Sequence, residues 1–125
     1  MKNQQEAGSL MVISKSSEWA IRMRKMAVSA RCDTFTERQI VSAATSAYLN
    51  LVEGNHSVYP AEQLKFYSTA RGSVAEALAG MELLVKEGRV PEPLAADLQL
   101  AGEEISKMMW GLIRRKQRQI HPTRH

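Results

Sequence analysis

Apolar residues recur every three or four positions along most of this chain and almost never at alternate positions. That period belongs to amphipathic helices rather than to half-buried strands. Trp19, Met23, Met26 with Ala27, and Ala30 mark a first helix over 16–31. Ile40, Ala43, Ala44, Ala47 and Leu51 mark a second over 36–53, opened by the overlapping capping boxes Thr34-x-x-Glu37 and Thr36-x-x-Gln39. Leu64, Phe66, Ala70, Val74, Ala77, Met81 and Leu84 spiral along a third over 60–87. In a fourth, over 92–117, Leu94, Leu98, Ala101, Ile105, Met108 and Leu112 alternate by four and three, as at bundle seams. The punctuation agrees. Pro60, Pro91 and Pro93 fall where helices start, and Gly54 and Gly88 fall where they end, suiting left-handed caps. Four such helices on short connectors predict an all-α, antiparallel up-down four-helix bundle. Residues 1–14 and 118–125 are polar and read as loose: a flexible N-terminal segment and a basic flexible tail around a bundle over 15–117.

Two helices carry more apolar surface than one stripe needs. Val41, Tyr48 and Val52 lie off the main stripe of the second helix, and Trp110 and Ile113 flank Leu112 in the fourth. A bundle helix normally keeps its back polar, so these five are candidate oligomer contacts. Gly72 and Gly80, eight residues apart on one face of the third helix, predict a close helix crossing, because helix-interior glycine costs about 1 kcal/mol relative to alanine.

A chain of 125 residues with 44% hydrophobic and 24% charged residues is an ordinary single globular domain. Its net charge of +4 is unevenly placed. Residues 1–113 hold 12 basic against 13 acidic residues, whereas 114–125 hold five basic residues and no acid. Two clusters stand out: Arg22, Arg24, Lys25 and Arg31 on the first helix, and Arg114, Arg115, Lys116 and Arg118 at the end of the fourth. Cations at a helix C-terminus complement its dipole. They also bind phosphate without regard to sequence, in a salt-dependent way. Both clusters are therefore candidate nucleic-acid contacts.

The remaining chemistry is sparse. Cys32 is alone, so neither a disulfide within the chain nor a multi-cysteine zinc site is available. His56, His121 and His125 form no pair on one helix face, and Glu53-x-x-His56 straddles a helix end without the second copy a di-iron bundle needs. No phosphate loop and no GxSxG elbow appears. Glu76, between Ala75 and Ala77, suits a structural ion pair better than a general acid, since no second catalytic group accompanies it. The expectation is a protein that is not an enzyme and has no cofactor or metal. The start lacks a signal-peptide pattern and no apolar run could span a membrane, so a cytoplasmic location is expected.

Residues 38–76 carry a resemblance. Arg38-Gln39-Ile40-Val41-Ser42-Ala43-Ala44-Thr45-Ser46, then Asn50-Leu51-Val52-Glu53-Gly54, resembles the second helix of the four-helix bundle proteins of ribosomal RNA intervening sequences. Glu62-x-x-x-Phe66-x-x-x-Ala70-Arg71-Gly72-Ser73-x-x-Glu76 resembles their third helix, and Trp110-Gly111-Leu112-Ile113-Arg114-Arg115-Lys116 the close of their fourth. Val41-Ser42 stands where the family often has a basic pair, and Tyr48 where it has proline. The same superfamily includes the accessory variability determinants of diversity-generating retroelements. The resemblance implies a homo-oligomeric, pentameric ring that binds RNA or DNA and partners a reverse transcriptase. The alternative is a scaffold oligomer that binds a protein and no nucleic acid.

Overall fold

The computed structural model describes residues 4–122. Among them are four helices and no strand: α1 (Gln4–Ser29), α2 (Thr34–His56), α3 (Pro60–Lys86) and α4 (Glu92–Ile120). Each helix packs mainly on its two neighbours, and α1 closes the bundle against α4. This is the predicted four-helix bundle, with two helices longer than their apolar stripes suggested. α1 begins at Gln4 rather than near residue 16, so residues 4–14 are not a loose segment. The stripe that continues it, Ser9, Val12 and Ser16, is buried but two-thirds serine, which disguises a core face as polar sequence. Among the described residues the buried Ser16 hydroxyl has no hydrogen-bond partner, whereas Ser9 shares a hydrogen bond with the hydroxyl of Tyr67. α4 runs on to Ile120, so Arg118 is helical rather than part of a tail. Arg124 and His125 lie outside the described residues.

The connections are built from local chemistry. α1 ends where Arg31 takes a left-handed φ of 50°, and its carbonyl accepts a 2.9 Å hydrogen bond from Arg89 Nη1. Asp33 caps α2: its carboxylate accepts from the Thr36 backbone N–H at 2.9 Å and from the Thr36 hydroxyl at 2.8 Å. These bonds hold the Asp33 carboxyl below its usual range, and they replace the two capping boxes expected at Thr34 and Thr36. Pro60 opens α3, where its missing N–H costs nothing. Gly88 closes it with φ 74°, a conformation that only glycine adopts freely.

The predicted α2 stripe is buried throughout, and Ala70, Val74, Ala77, Met81 and Leu84 meet it from α3. Small residues bring α2 and α3 close, and a polar link ties them together. Ser46 and Ser73 hydroxyls lie 3.0 Å apart, and Asn50 Nδ2 donates to both the carbonyl and the hydroxyl of Ser46. Gly54 is not a left-handed cap. It lies buried inside the last turn of α2, where a Cβ would sit 2.6 Å from the ring of Tyr67.

The crossing expected at Gly72 and Gly80 is half right. A Cβ on Gly80 would meet Ile40 Cγ1 at 2.6 Å, whereas one on Gly72 would meet nothing within 4 Å. Gly80→Ala is therefore expected to lower stability by about 1 kcal/mol or more, because Ile40 is buried and jammed near its own backbone. Gly72→Ala is expected to raise it by about 0.5–1 kcal/mol through helix propensity. Urea denaturation of the two variants decides this; equal midpoints would mean that Ile40 can swing aside.

Candidate nucleic-acid interface

Antiparallel order places the end of α4 beside the starts of α1 and α3. Arg115 illustrates this register. It is half-buried, with its guanidinium 3.6 Å from the point where a Gly8 Cβ would stand, and its charge bears on the Tyr67 hydroxyl. Arg114 and Arg118 are exposed, and Lys116 is half-buried. Burial, reinforced by the neighbouring charge of Arg115, pushes the Lys116 ammonium below its usual pKa. Two α3 cations that the residue pattern did not single out join this end. Lys65 is exposed, and Arg71 lies over the Trp110 ring with its guanidinium carbon 4.9 Å from the ring centroid.

Acidic partners are elsewhere. The ion pairs among the described residues are Lys15–Glu104 (2.9 Å), Arg22–Asp97 (3.6 Å), Lys86–Glu82 (3.5 Å) and Arg89–Glu87 (3.2 Å). None of them uses Lys65, Arg71, Arg114, Arg115, Lys116 or Arg118. The α4 end thus presents six cations with no acid paired to them among the described residues.

The α1 cluster does not join that surface. Arg24 is sixteen residues along α1 from Gly8, which at 1.5 Å per residue is about 24 Å towards the opposite end. Within the cluster, Arg22 pairs with Asp97 and the Arg31 backbone serves the α1–α2 connection. Arg24 and Lys25 are exposed and flank Ile21 and Val28, two exposed apolar residues outside the core stripe of α1. The two clusters therefore lie on separate surfaces: none of the six cations at the α4 end is in an ion pair among the described residues, and at the other end Arg24 and Lys25 are likewise unpaired while Arg22 is not.

The apolar candidates also divide. Ile113 is 4% exposed and belongs to the chain's own core, which corrects its reading as an oligomer contact: α4 buries a wider arc than its 4–3 seam. Val41 and Tyr48 are half-buried against that core. Val52 is half-buried, and Trp110 stays 42% exposed. Leu49, Leu83 and Leu100 are further exposed apolar residues, on α2, α3 and α4. Burial pushes the Cys32 thiol up, away from the reactive thiolate. Among the described residues no group of His, Cys, Asp and Glu could hold a metal, and no helix is long and apolar enough to cross a membrane.

The model of a family described as 23S rRNA-intervening sequence protein matches residues 8–111. A solved structure of a protein with unknown function from the S23 ribosomal protein family, from Bacteroides thetaiotaomicron, superposes with a TM-score of 0.79 at 22% identity. The match covers 86% of this chain and 98% of that one. At that identity the likeness shows a shared four-helix fold. No protein of curated function matches the chain significantly.

Proposed function

This chain belongs to the 23S rRNA-intervening sequence protein family, and from that membership we propose a non-enzymatic, homo-oligomeric protein that binds RNA or DNA without sequence preference. The observation that carries the reading is the α4 end, where six cations gather without a paired acid among the described residues and the half-buried Lys116 ammonium is pressed by its neighbour Arg115. A phosphate placed there relieves that repulsion and releases counterions from the polynucleotide. The family's name, taken from an intervening sequence of 23S rRNA, supports a nucleic-acid setting. Exposed Ile21, Val28, Leu49, Leu83 and Leu100 support assembly into a ring, pentameric by the resemblance. Each added copy brings another +4 to the field that attracts a polyanion. The resemblance also makes a reverse transcriptase the protein partner of this proposal, and a cytoplasmic location goes with it.

Mobility shift at two salt concentrations tests the reading. If all six cations meet phosphates, duplex affinity falls about 10³-fold between roughly 50 and 200 mM salt. Absent or salt-independent binding leaves a scaffold that holds a protein partner instead. Sedimentation as a 14.0 kDa monomer would end the ring.

A further inference from the structure

We propose that the groove between α3 and α4, at the basic end, stacks one unpaired base of a single-stranded polynucleotide. This deepens the reading above and rests on it. Trp110 lines the groove and keeps 42% of its surface open to solvent, although it sits in the middle of a packed helix. Arg71 covers part of the ring and places a cation beside it, as at stacking sites for bases and phosphates. Across from it, Gly72 lines the groove and leaves the space of its missing side chain open, with nothing within 4 Å. No contact among the described residues explains a glycine there, yet the vacancy clears a path to the indole.

The surroundings select the occupant. Ser68, Ser106 and Gln117 supply hydrogen-bonding groups to a groove of about 440 Å³ that no acidic residue lines. Lys65 lies one turn before Ser68 on α3, and Arg114 one turn beyond Trp110 on α4, both exposed. An extended strand can thus set its phosphates on the cations and one base against Trp110. A duplex meets the same cations but keeps its bases stacked inside. The site therefore distinguishes single strands from duplex, which phosphate contacts alone do only weakly.

Fluorescence reads this directly, because the other tryptophan, Trp19, is 1% exposed in the core. Titrating oligo-dT or oligo-U into the full-length protein is expected to quench Trp110 emission. Trp110→Ala is expected to weaken single-strand binding about tenfold and duplex binding hardly at all, with Trp110→Phe retaining most of the affinity. Gly72→Leu puts a side chain into the groove from a position where a Cβ meets nothing within 4 Å, and is expected to produce the same single-strand loss in a protein whose Tm is not lowered. Unchanged emission on binding, or Trp110→Ala that binds single strands as tightly as the parent, overturns the stacking site and leaves the phosphate interface standing. Emission that follows protein concentration instead of oligonucleotide also overturns it, by placing a second copy in the groove. No binding to any polynucleotide removes both readings.

Discussion

Trp19→Ala is expected to cost about 3–5 kcal/mol, a large share of the roughly 5–15 kcal/mol that holds a domain of this size together. The indole is 1% exposed and its Nε1 donates a 3.1 Å hydrogen bond to the Leu98 carbonyl of α4. The other polar links across this seam among the described residues are weak. The two ion pairs that cross this seam, Lys15–Glu104 and Arg22–Asp97, join side chains that are 42–73% exposed, and such pairs contribute about 0–1 kcal/mol each. The helices come together there because Gly102 carries no side chain: a Cβ would stand 3.2 Å from the indole nitrogen and 3.0 Å from Leu78. Trp19→Phe keeps most of the buried area and is expected to cost only about 1–2 kcal/mol. Urea denaturation separates the two variants. If Trp19→Ala moves the midpoint no further than Trp19→Phe, the seam is held by something other than the buried ring.

This seam also marks how far the sequence could be read. Periodicity is a property of one helix, so the α2 stripe from Ile40 to Leu51 and the opening of α3 at Pro60 were visible in the order of residues. The first half of α1 was not, because Ser9 and Ser16 occupy core positions with polar side chains small enough to bury. Gly54 shows a second kind of miss. A glycine near the end of an apolar stripe looks like a cap, and only the position of Tyr67 on the next helix reveals a close approach instead. Register between helices is set by such contacts, and spacing within one helix does not encode it. Hence Arg71 and Trp110, thirty-nine residues apart in sequence, went unpaired until the bundle brought them within 4.9 Å. For the same reason the order of residues did not show that the α1 and α4 cations lie towards opposite ends of the bundle.

That separation yields the second large effect. Lys65, Arg114 and Arg118 are exposed at the α4 end, while Arg24, Lys25 and Arg38 are exposed towards the other. Replacing either trio by glutamine removes the same charge from the molecule, so the whole-protein field falls equally. If the α4 end meets the phosphates, the first replacement deletes three contacts. It is then expected to weaken binding about a hundredfold or more near 100 mM salt and to flatten the salt dependence by about 2–3 in log–log slope. The second replacement is expected to cost little and to leave the slope as it was, because nothing there touches the polymer. Neither should unfold the protein, since none of the six residues forms an ion pair among the described residues. Arg115 is left out of the first trio because it packs beside Gly8 and Tyr67, where a loss of affinity could reflect a shifted helix. Equal losses from the two trios would mean that net charge alone attracts the polynucleotide. A greater loss from Arg24, Lys25 and Arg38 would move the interface to the opposite end, where Ile21 and Val28 lie exposed.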